Sequence, residues 1–574
     1  MQLFNQIITD INAIIWHNYV LFTLLGTGVV LTFWSGFSQY RALTHGWRVL
    51  RGHYDDPDAP GAINHFQALS TALSATVGLG NIGGVALAVS LGGPGAIFWM
   101  WVVGFFGMAT KLTEVTLSML HRNTDDPDNP HGGPMWVAKN GLPLVHPKLA
   151  GPGKVLASVF CVCLLISTLI GGNMFQAWNV GEITQTYFGI PSIASGIILS
   201  IVVGVVIIGG IKRIGAATGR LVPVMVTMYM MAGTYVLAVN VQLIPEMIML
   251  IFRSAFSTSE AGGAFIGGTV GYAFMFGMKR ALFSNEAGEG SSPMAHSAAK
   301  TSEPVREGIV AGLEPFIDTL VVCTFTALVI LTTGIWNRSV DVEFAEQPQM
   351  VAAATPGSWS IPEMPAPHAK GIDWVNGQAV YAIVSGDLNP QSDNTLHRIN
   401  GLIEMRDDIP FITWGSIAST EQPSLDSNGV FLAYVGATLT AKAFDTVSPG
   451  LGKWLITLSV WMFAISTIIS WAYYGEQGVV YLIGERAVTG YKLIYCMLIA
   501  VATLGLIKTD AQLDNITGIG TGVMILANLP ILWLGSRQAI TAYKAYVERL
   551  KNGELGPGHT PPSLEDLVTG RDVK

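Results

Sequence analysis

Charge is scarce in this chain. Only 12% of its 574 residues are Asp, Glu, Lys or Arg, where an ordinary soluble domain carries about 25%. Half of the residues are apolar, and the two figures together place the chain in the membrane class. Basic charge is scarcer still, with 31 Lys and Arg against 39 Asp and Glu, so nothing points to a nucleic-acid partner, which would call for a basic patch. The only cysteines are Cys161, Cys163, Cys323 and Cys496, all inside long apolar runs. Their spacing suits neither a metal site nor a small disulfide framework.

Catalytic signatures are missing too. The apolar runs hold no His-Glu-x-x-His, no nucleophile elbow and no paired catalytic carboxylates, which argues against a membrane-embedded enzyme. There is no phosphate-binding loop with its Lys, which argues against a primary pump, and no repeated filter or charge rings of a channel. Met1 through Ile15 contains Asp10 and neither Lys nor Arg. A signal peptide needs a basic start and a small-residue cleavage site, so the first apolar run is expected to stay in the protein.

A helix crosses the hydrocarbon in about 20 residues. Apolar stretches of that length, bounded by charge, Pro or polar clusters, predict eleven spans near 15–38, 66–90, 95–120, 154–180, 191–211, 221–243, 263–283, 308–335, 452–474, 491–508 and 515–536. If the N-terminus lies outside, the cytoplasmic segments hold Arg41, Arg48 and Arg51, then Lys139, Lys148 and Lys154, then Lys212, Arg213 and Arg220, then Lys279, Arg280, Lys300 and Arg306. The opposite short loops hold only Arg253. The positive-inside rule then puts the tail beyond Arg537 in the cytoplasm.

Residues 336–450 are rich in Pro, Asp, Asn and Ser and lack a spanning run. They are expected outside the membrane as a small β-rich subdomain, with Asn376-Gly377 as a hairpin turn between Ile372–Val375 and Gln378–Tyr381. A disordered loop is the alternative. A sensor that binds its ligand through this subdomain is a weaker functional alternative to a transporter.

Glycine-rich stretches free backbone groups, which lipid cannot satisfy, so they belong beside a protein-lined or aqueous cavity. Two stand out: Thr71 through Gly84, with four glycines and several hydroxyls, and Gly267 through Arg280 followed by Ser284-Asn285-Glu286-Ala287-Gly288. With the first span set aside, these interrupted helices open two groups of five spans of opposite topology. Paired discontinuous helices mark a transporter site, because half-helix N-termini attract a carboxylate while freed carbonyls hold a cation. Helix packing on small residues is the alternative reading. Gly78, Gly80 and Gly83 spell a Gly-x-Gly-x-x-Gly string, but no strand precedes it and it lies inside a span, so a nucleotide loop is rejected.

These residues resemble the alanine or glycine:cation symporter family. The likeness rests on Ala75-Thr76-Val77-Gly78 with Gly80-Asn81-Ile82, Leu91 through Gly95 with Phe98-Trp99-Met100-Trp101, Gly107 through Lys111 with Glu114, and Gly132-Gly133-Pro134-Met135. It continues at Gly172-Asn173-Met174 with Gln176, Gly209 through Ile214, Ser284 through Gly288, and Ser466-Thr467-Ile468-Ile469 with Trp471. The chain departs from that pattern at Leu79, where threonine is frequent, at Glu289, where leucine is usual, and in its longer outer loop. The resemblance implies an all-α polytopic, leucine-transporter-like fold, a 5+5 inverted repeat plus one extra N-terminal helix. The segments are then 1–40 for the extra helix, 64–243 for the first repeat, 262–335 and 451–537 for the second, 336–450 for the extracytoplasmic insertion and 538–574 for the tail. It further implies sodium-coupled import of alanine, glycine or a similar small amino acid across a bacterial inner membrane, with no cofactor besides the coupling ion.

Site candidates follow. Backbone N–H groups around Gly78, Gly80 and Asn81 are candidates for the substrate carboxylate, since a helix break aims unpaired donors at an anion. The Asn81 side chain either adds a contact or bonds between helices. Gln176 is a polar amide among apolar neighbours and needs a partner; it is expected on the substrate, with Trp178 walling the pocket. Structural roles are the alternative for both. Trp471 is expected to close the pocket beside Phe276 and Gly277. Sodium wants oxygen ligands, so the hydroxyls of Ser466 and Thr467 with carbonyls near Thr76 and Val77 form the candidate cation site, unless those hydroxyls bond back to their own helix. Glu114, three residues after Lys111, is expected to pair with it. Glu286 is read as an inner-gate or solvated charge, and Asp318 as either a protonated structural acid or an ion-path residue.

Overall fold

The computed structural model describes residues 8–569, apart from 9, 13, 369–371, 391, 435, 506–509 and 556–561. The ends of the expected N-terminal segment and of the tail, and the end of the tenth expected span, lie partly outside the described residues. Among those described, seven helices are long and apolar enough to cross a membrane, or eight when one bent pair counts as a single span. The protein is a polytopic, largely α-helical membrane protein.

In chain order the bundle begins with α1 (Asn18–Ser35), then α2 (His65–Thr76) and α3 (Gly80–Gly92), which meet at 52°. A capping box starts α2: Asn64 Oδ1 accepts from the Gln67 N–H (2.8 Å) while Gln67 Oε1 accepts from the Asn64 N–H (3.2 Å), satisfying two donors that the first turn leaves open. The chain continues through α4 (Gly95–His121), α5 (Pro147–Phe188), α6 (Ser192–Ile207), α7 (Gly210–Val239), α8 (Ile244–Phe256) and α9 (Val270–Asn285). After a non-helical turn come α10 (Pro293–His296) and α11 (Pro304–Thr332). Beyond the insertion lie α12 (Ala437–Val447), α13 (Leu451–Leu482), α14 (Val488–Ala502) and α15 (Asp510–Asn552). Every expected span overlaps one of these helices, but α6, α9 and α14 are shorter than the 18 residues of a clear span.

The insertion folds as a β-structure. Its larger antiparallel sheet runs β1 (Val342–Glu343), β10 (Gly429–Leu432), β5 (Ala379–Asn389), β6 (Asn394–Arg406), β7 (Ile409–Trp414) and β4 (Met364–Pro365), with β9 (Ser424–Leu425) also on β5. A smaller one joins β2 (Val351–Ala352), β3 (Ser358–Ser360) and β8 (Ile417–Ala418). Alternate residues Val380, Ala382 and Val384 of β5 pack with Ile399 and Ile403 of β6 and Ile412 of β7, as a half-buried strand requires. The expected hairpin is therefore displaced. Asn376-Gly377 does turn, with the Gln378 N–H donating to the Val375 carbonyl (3.0 Å), yet β5 pairs with β6 rather than with 372–375. The four residues before the turn are too few to match the apolar face of an eleven-residue strand.

The sheet is bolted to one end of the bundle. Arg398 of β6 donates to the carbonyls of Ala264 (2.6 Å) and Ser90 (3.3 Å), Asn394 donates to that of Ile266 (2.8 Å), and the Tyr381 hydroxyl donates to Ala264 (3.2 Å). These bonds tie it to the far end of α3 and to the chain entering α9.

Candidate functional site

The first break lies between α2 and α3. Val77 leaves the helix with ψ of 94°, and Gly80–Gly84 resumes it as a wide π-helical turn. Asn81 fastens the break. Its Oδ1 accepts from the Gly78 N–H (2.8 Å), and its Nδ2 donates to Asp318 Oδ1 (2.5 Å) and to the Ser284 hydroxyl (3.0 Å). Asp318 also accepts from the hydroxyls of Ser284 (2.6 Å) and Thr319 (2.9 Å). All of these side chains are fully buried, so Asp318 joins α11 to both broken helices.

The second break is not where glycine count suggested. Helix α9 runs unbroken through Gly271 and Gly277 and ends at Asn285. The chain then enters the left-handed region at Glu286 (φ 53°), Gly288 (φ 94°) and Gly290 (φ 84°), which a helix cannot accommodate. Gly277 has a packing reason instead. A Cβ there would stand 2.3 Å from the Ala96 carbonyl oxygen, so its bare backbone lets α9 approach α4.

Both breaks face one cavity of about 810 Å³. Thr76, Gly78, Leu79 and Gly80 line it from the first break, and Phe283, Glu286 and Glu289 from the second. Gln176 and Trp178 of α5 and Thr467 and Trp471 of α13 complete the wall, while Gln378, Leu432 and Tyr434 of the insertion line its mouth. Gln176 follows a π-turn at Ile170–Phe175; its Oε1 is buried without a partner, and its Nε2 reaches only the Gly171 carbonyl at 3.4 Å. Trp471 packs on Gly172, where a Cβ would lie 2.3 Å from the indole.

The expected site residues therefore divide. Gly78, Gly80, Gln176, Trp178, Thr76, Thr467 and Trp471 share the cavity. Asn81, Val77 and Ser466 are buried behind its wall, and the Asn81 amide is spent within the protein. Phe276 and Gly277 face the end of α3 and α4, against Gly92, Ala96 and Trp99. Phe283, two helical turns further along α9, stands on the wall in their stead.

Helix α13 meets α2 through hydroxyls. Thr467 (3.1 Å) and Ser466 (3.3 Å) both donate to the Ser74 carbonyl, and Ser470 donates to that of Thr71 (2.8 Å) and bonds the Ser74 hydroxyl. Ser466 also bonds back to Phe463 (2.8 Å). Hydroxyls and carbonyls are the ligands of hard cations, and Ser74 adds a carbonyl one turn before Val77. No side-chain pattern marks a carbonyl in advance.

A buried charge network lies behind the second break. Lys111 reaches Glu314 (3.3 Å) and the Ser292 hydroxyl (2.7 Å). His296 bridges Glu314 and Glu307 through its two ring nitrogens, 2.5 Å from each carboxylate, and Glu307 also holds His65. Glu114 does not take Lys111; it accepts from Asn528 Nδ2 (2.6 Å) and the Gly288 N–H (3.3 Å). Glu114 has donors of its own on α15 and in the second break, so Lys111 is left to Glu314 on α11. Glu286 is not solvated either: it is 5% exposed and accepts from the Ser291 hydroxyl.

The profile of the sodium:alanine symporter family matches residues 1–362 and 426–559, so most of the large sheet falls between the matched segments. The chain is 35% identical over 549 residues to the sodium/alanine symporter AgcS of Methanococcus maripaludis, covering 96% of this chain and 98% of that protein. It is 29% identical over 494 residues, 86% of this chain and 90% of the other, to the sodium/proton-dependent alanine carrier protein of Bacillus sp. strain PS3.

Proposed function

The chain belongs to the sodium:alanine symporter family, and from that premise we propose that it imports a small neutral amino acid, alanine, glycine or similar, by sodium-driven alternating access. It is a secondary transporter of the bacterial inner membrane and not an enzyme. The observation that carries the reading is the convergence of two helix breaks on one cavity beside a cluster of hydroxyl and carbonyl oxygens.

In this proposal the fold is a leucine-transporter-like pair of inverted five-helix halves, 64–243 and 262–537, with α1 outside the repeat and the insertion 336–450 between strokes of the second half. The N-terminus and the sheet lie outside and the C-terminus inside, a reading the distribution of Lys and Arg supports. The Gly78–Gly80 break offers backbone donors to the substrate carboxylate, the orphan Gln176 Oε1 accepts from the substrate, and Trp178, Phe283 and Trp471 wall it. Sodium sits between α2 and α13, on Ser466, Thr467 and the carbonyls of Ser74, Thr76 and Val77. A cation there draws two helices together beside the carboxylate site, which is how its gradient is coupled to the substrate.

Purified protein in liposomes tests this. Labelled alanine, glycine and serine are offered outside while sodium, potassium or proton gradients are imposed one at a time. Accumulation under sodium alone is expected; none under any gradient overturns the reading. Thr467→Ala should raise the sodium needed for half-maximal uptake by about tenfold, the cost of one good oxygen ligand. An unchanged sodium dependence refutes that cation site.

A further inference from the structure

One carboxylate on the cavity wall has no protein partner for one of its oxygens. Glu289 sits in the second break between the left-handed Gly288 and Gly290, its N–H donating to the Glu286 carbonyl (3.1 Å). It lines the cavity, is only 4% exposed, and its Oε1 has no hydrogen-bond partner. The neighbouring acids are already satisfied: Glu114 by Asn528 and the Gly288 N–H, Glu286 by Ser291, and Glu314 by Lys111 and His296. Glu286, Lys111 and Glu114 act on Glu289, and of these the one cation, Lys111, is held by Glu314 and Ser292, while Arg280 of the same wall lies over the Phe283 ring. A buried carboxylate left in this state is costly unless a positive group arrives from the cavity to meet it.

We propose that Glu289 is a substrate-binding residue that takes an ammonium group of the transported amino acid, an inference that rests on the symport reading above. An ammonium suits this wall better than a second metal ion. Among the described residues no three His, Cys, Asp or Glu side chains converge on a metal position, and the hydroxyl and carbonyl oxygens that suit sodium lie at the contact of α13 with α2. The same wall carries Trp471, and an indole attracts an organic cation; Phe283 beside it already has the Arg280 guanidinium over its ring. The ammonium is either the α-ammonium common to all amino acids or a second one on the side chain, and the two sources are separable.

The test uses the full chain in detergent at saturating sodium, with labelled alanine displaced by unlabelled alanine, by 2,3-diaminopropionate, which adds an ammonium to the alanine side chain, and by lactate, which lacks the α-ammonium. If Glu289 holds the α-ammonium, Glu289→Gln weakens alanine by about tenfold or more and leaves lactate unchanged. If it holds a side-chain ammonium, diaminopropionate binds the unaltered protein about tenfold or more tighter than alanine, and Glu289→Gln abolishes that preference while alanine is unaffected. Equal affinities in variant and parent for all three ligands, or a change in sodium dependence alone, overturns the proposal. Glu289→Leu gives a second, independent variant read the same way. Should neither variant fold, parent protein that binds alanine, lactate and diaminopropionate alike overturns the proposal. Sodium-driven alanine uptake by the parent protein is scored separately: its failure sinks the symport reading, whereas uptake with no role for Glu289 sinks this inference alone.

Discussion

Asn81→Ala removes the one side chain that ties the first break to Asp318. Its shorter bonds go, from the Gly78 N–H (2.8 Å), to Asp318 Oδ1 (2.5 Å) and to the Ser284 hydroxyl (3.0 Å), together with longer ones to the Asp318 carbonyl and Cys323 Sγ (3.3 Å each). The site is fully buried, so water does not readily replace them, and each unsatisfied group costs about 1–3 kcal/mol. Ser284 loses only an acceptor role and still donates to Asp318 Oδ2; the Gly78 N–H and Asp318 Oδ1 carry the loss. We expect about 3 kcal/mol, roughly a hundredfold in the folding equilibrium. Unfolding in mixed micelles with increasing SDS measures it. Asp318→Asn and the double variant complete a thermodynamic cycle, in which residues sharing such a bond should couple by about 1 kcal/mol or more. A stability within about 0.5 kcal/mol of the parent, or strict additivity, would refute the fastening role and return the Asn81 amide to the list of substrate contacts.

Two further outcomes follow from buried partners and from the sheet. Lys111→Met leaves Glu314 with His296 alone and should cost about 3–5 kcal/mol, part of which Glu314→Gln in the same chain recovers; equal losses in single and double variants would contradict the pairing. Arg398→Ala cuts the bonds to Ala264 and Ser90 and removes the guanidinium from its place 4.4 Å from the Tyr381 ring centre, so the sheet should stay folded but the entry to α9, residues 257–269, should be cleaved faster by protease. An unchanged cleavage pattern counts against the anchoring.

The helices were legible because a bilayer leaves few options: an apolar run of sufficient length has to be a helix. Helix lengths were less so. At α9 the apolar pattern begins near 263, but Thr269 caps the helix, accepting from the Tyr272 N–H (3.3 Å), and the preceding residues are held by the loop and the sheet instead. The sheet was legible as β-rich from its turn residues. Its register was not, because strand pairing is decided by which distant strand covers an apolar face, and β5 found its cover in β6.

The two breaks show the same limit in glycine. A glycine is selected either for a positive φ or for the absence of a Cβ, and a string of letters does not say which. In Gly78 through Gly84 the dense run lies at the break itself. In α9 the dense run serves close packing, and the break falls at Glu286–Ser292, where glycines are alternated with charge. That misplacement moved the expected wall from Phe276 and Gly277 to a position two turns away, and it made Glu286 look like a solvated loop charge. Glu289 was visible in the sequence as a departure at one position. Its meaning needed the geometry, because an acid in a loop is ordinary and an acid with an unpartnered oxygen inside a cavity between two broken helices is not.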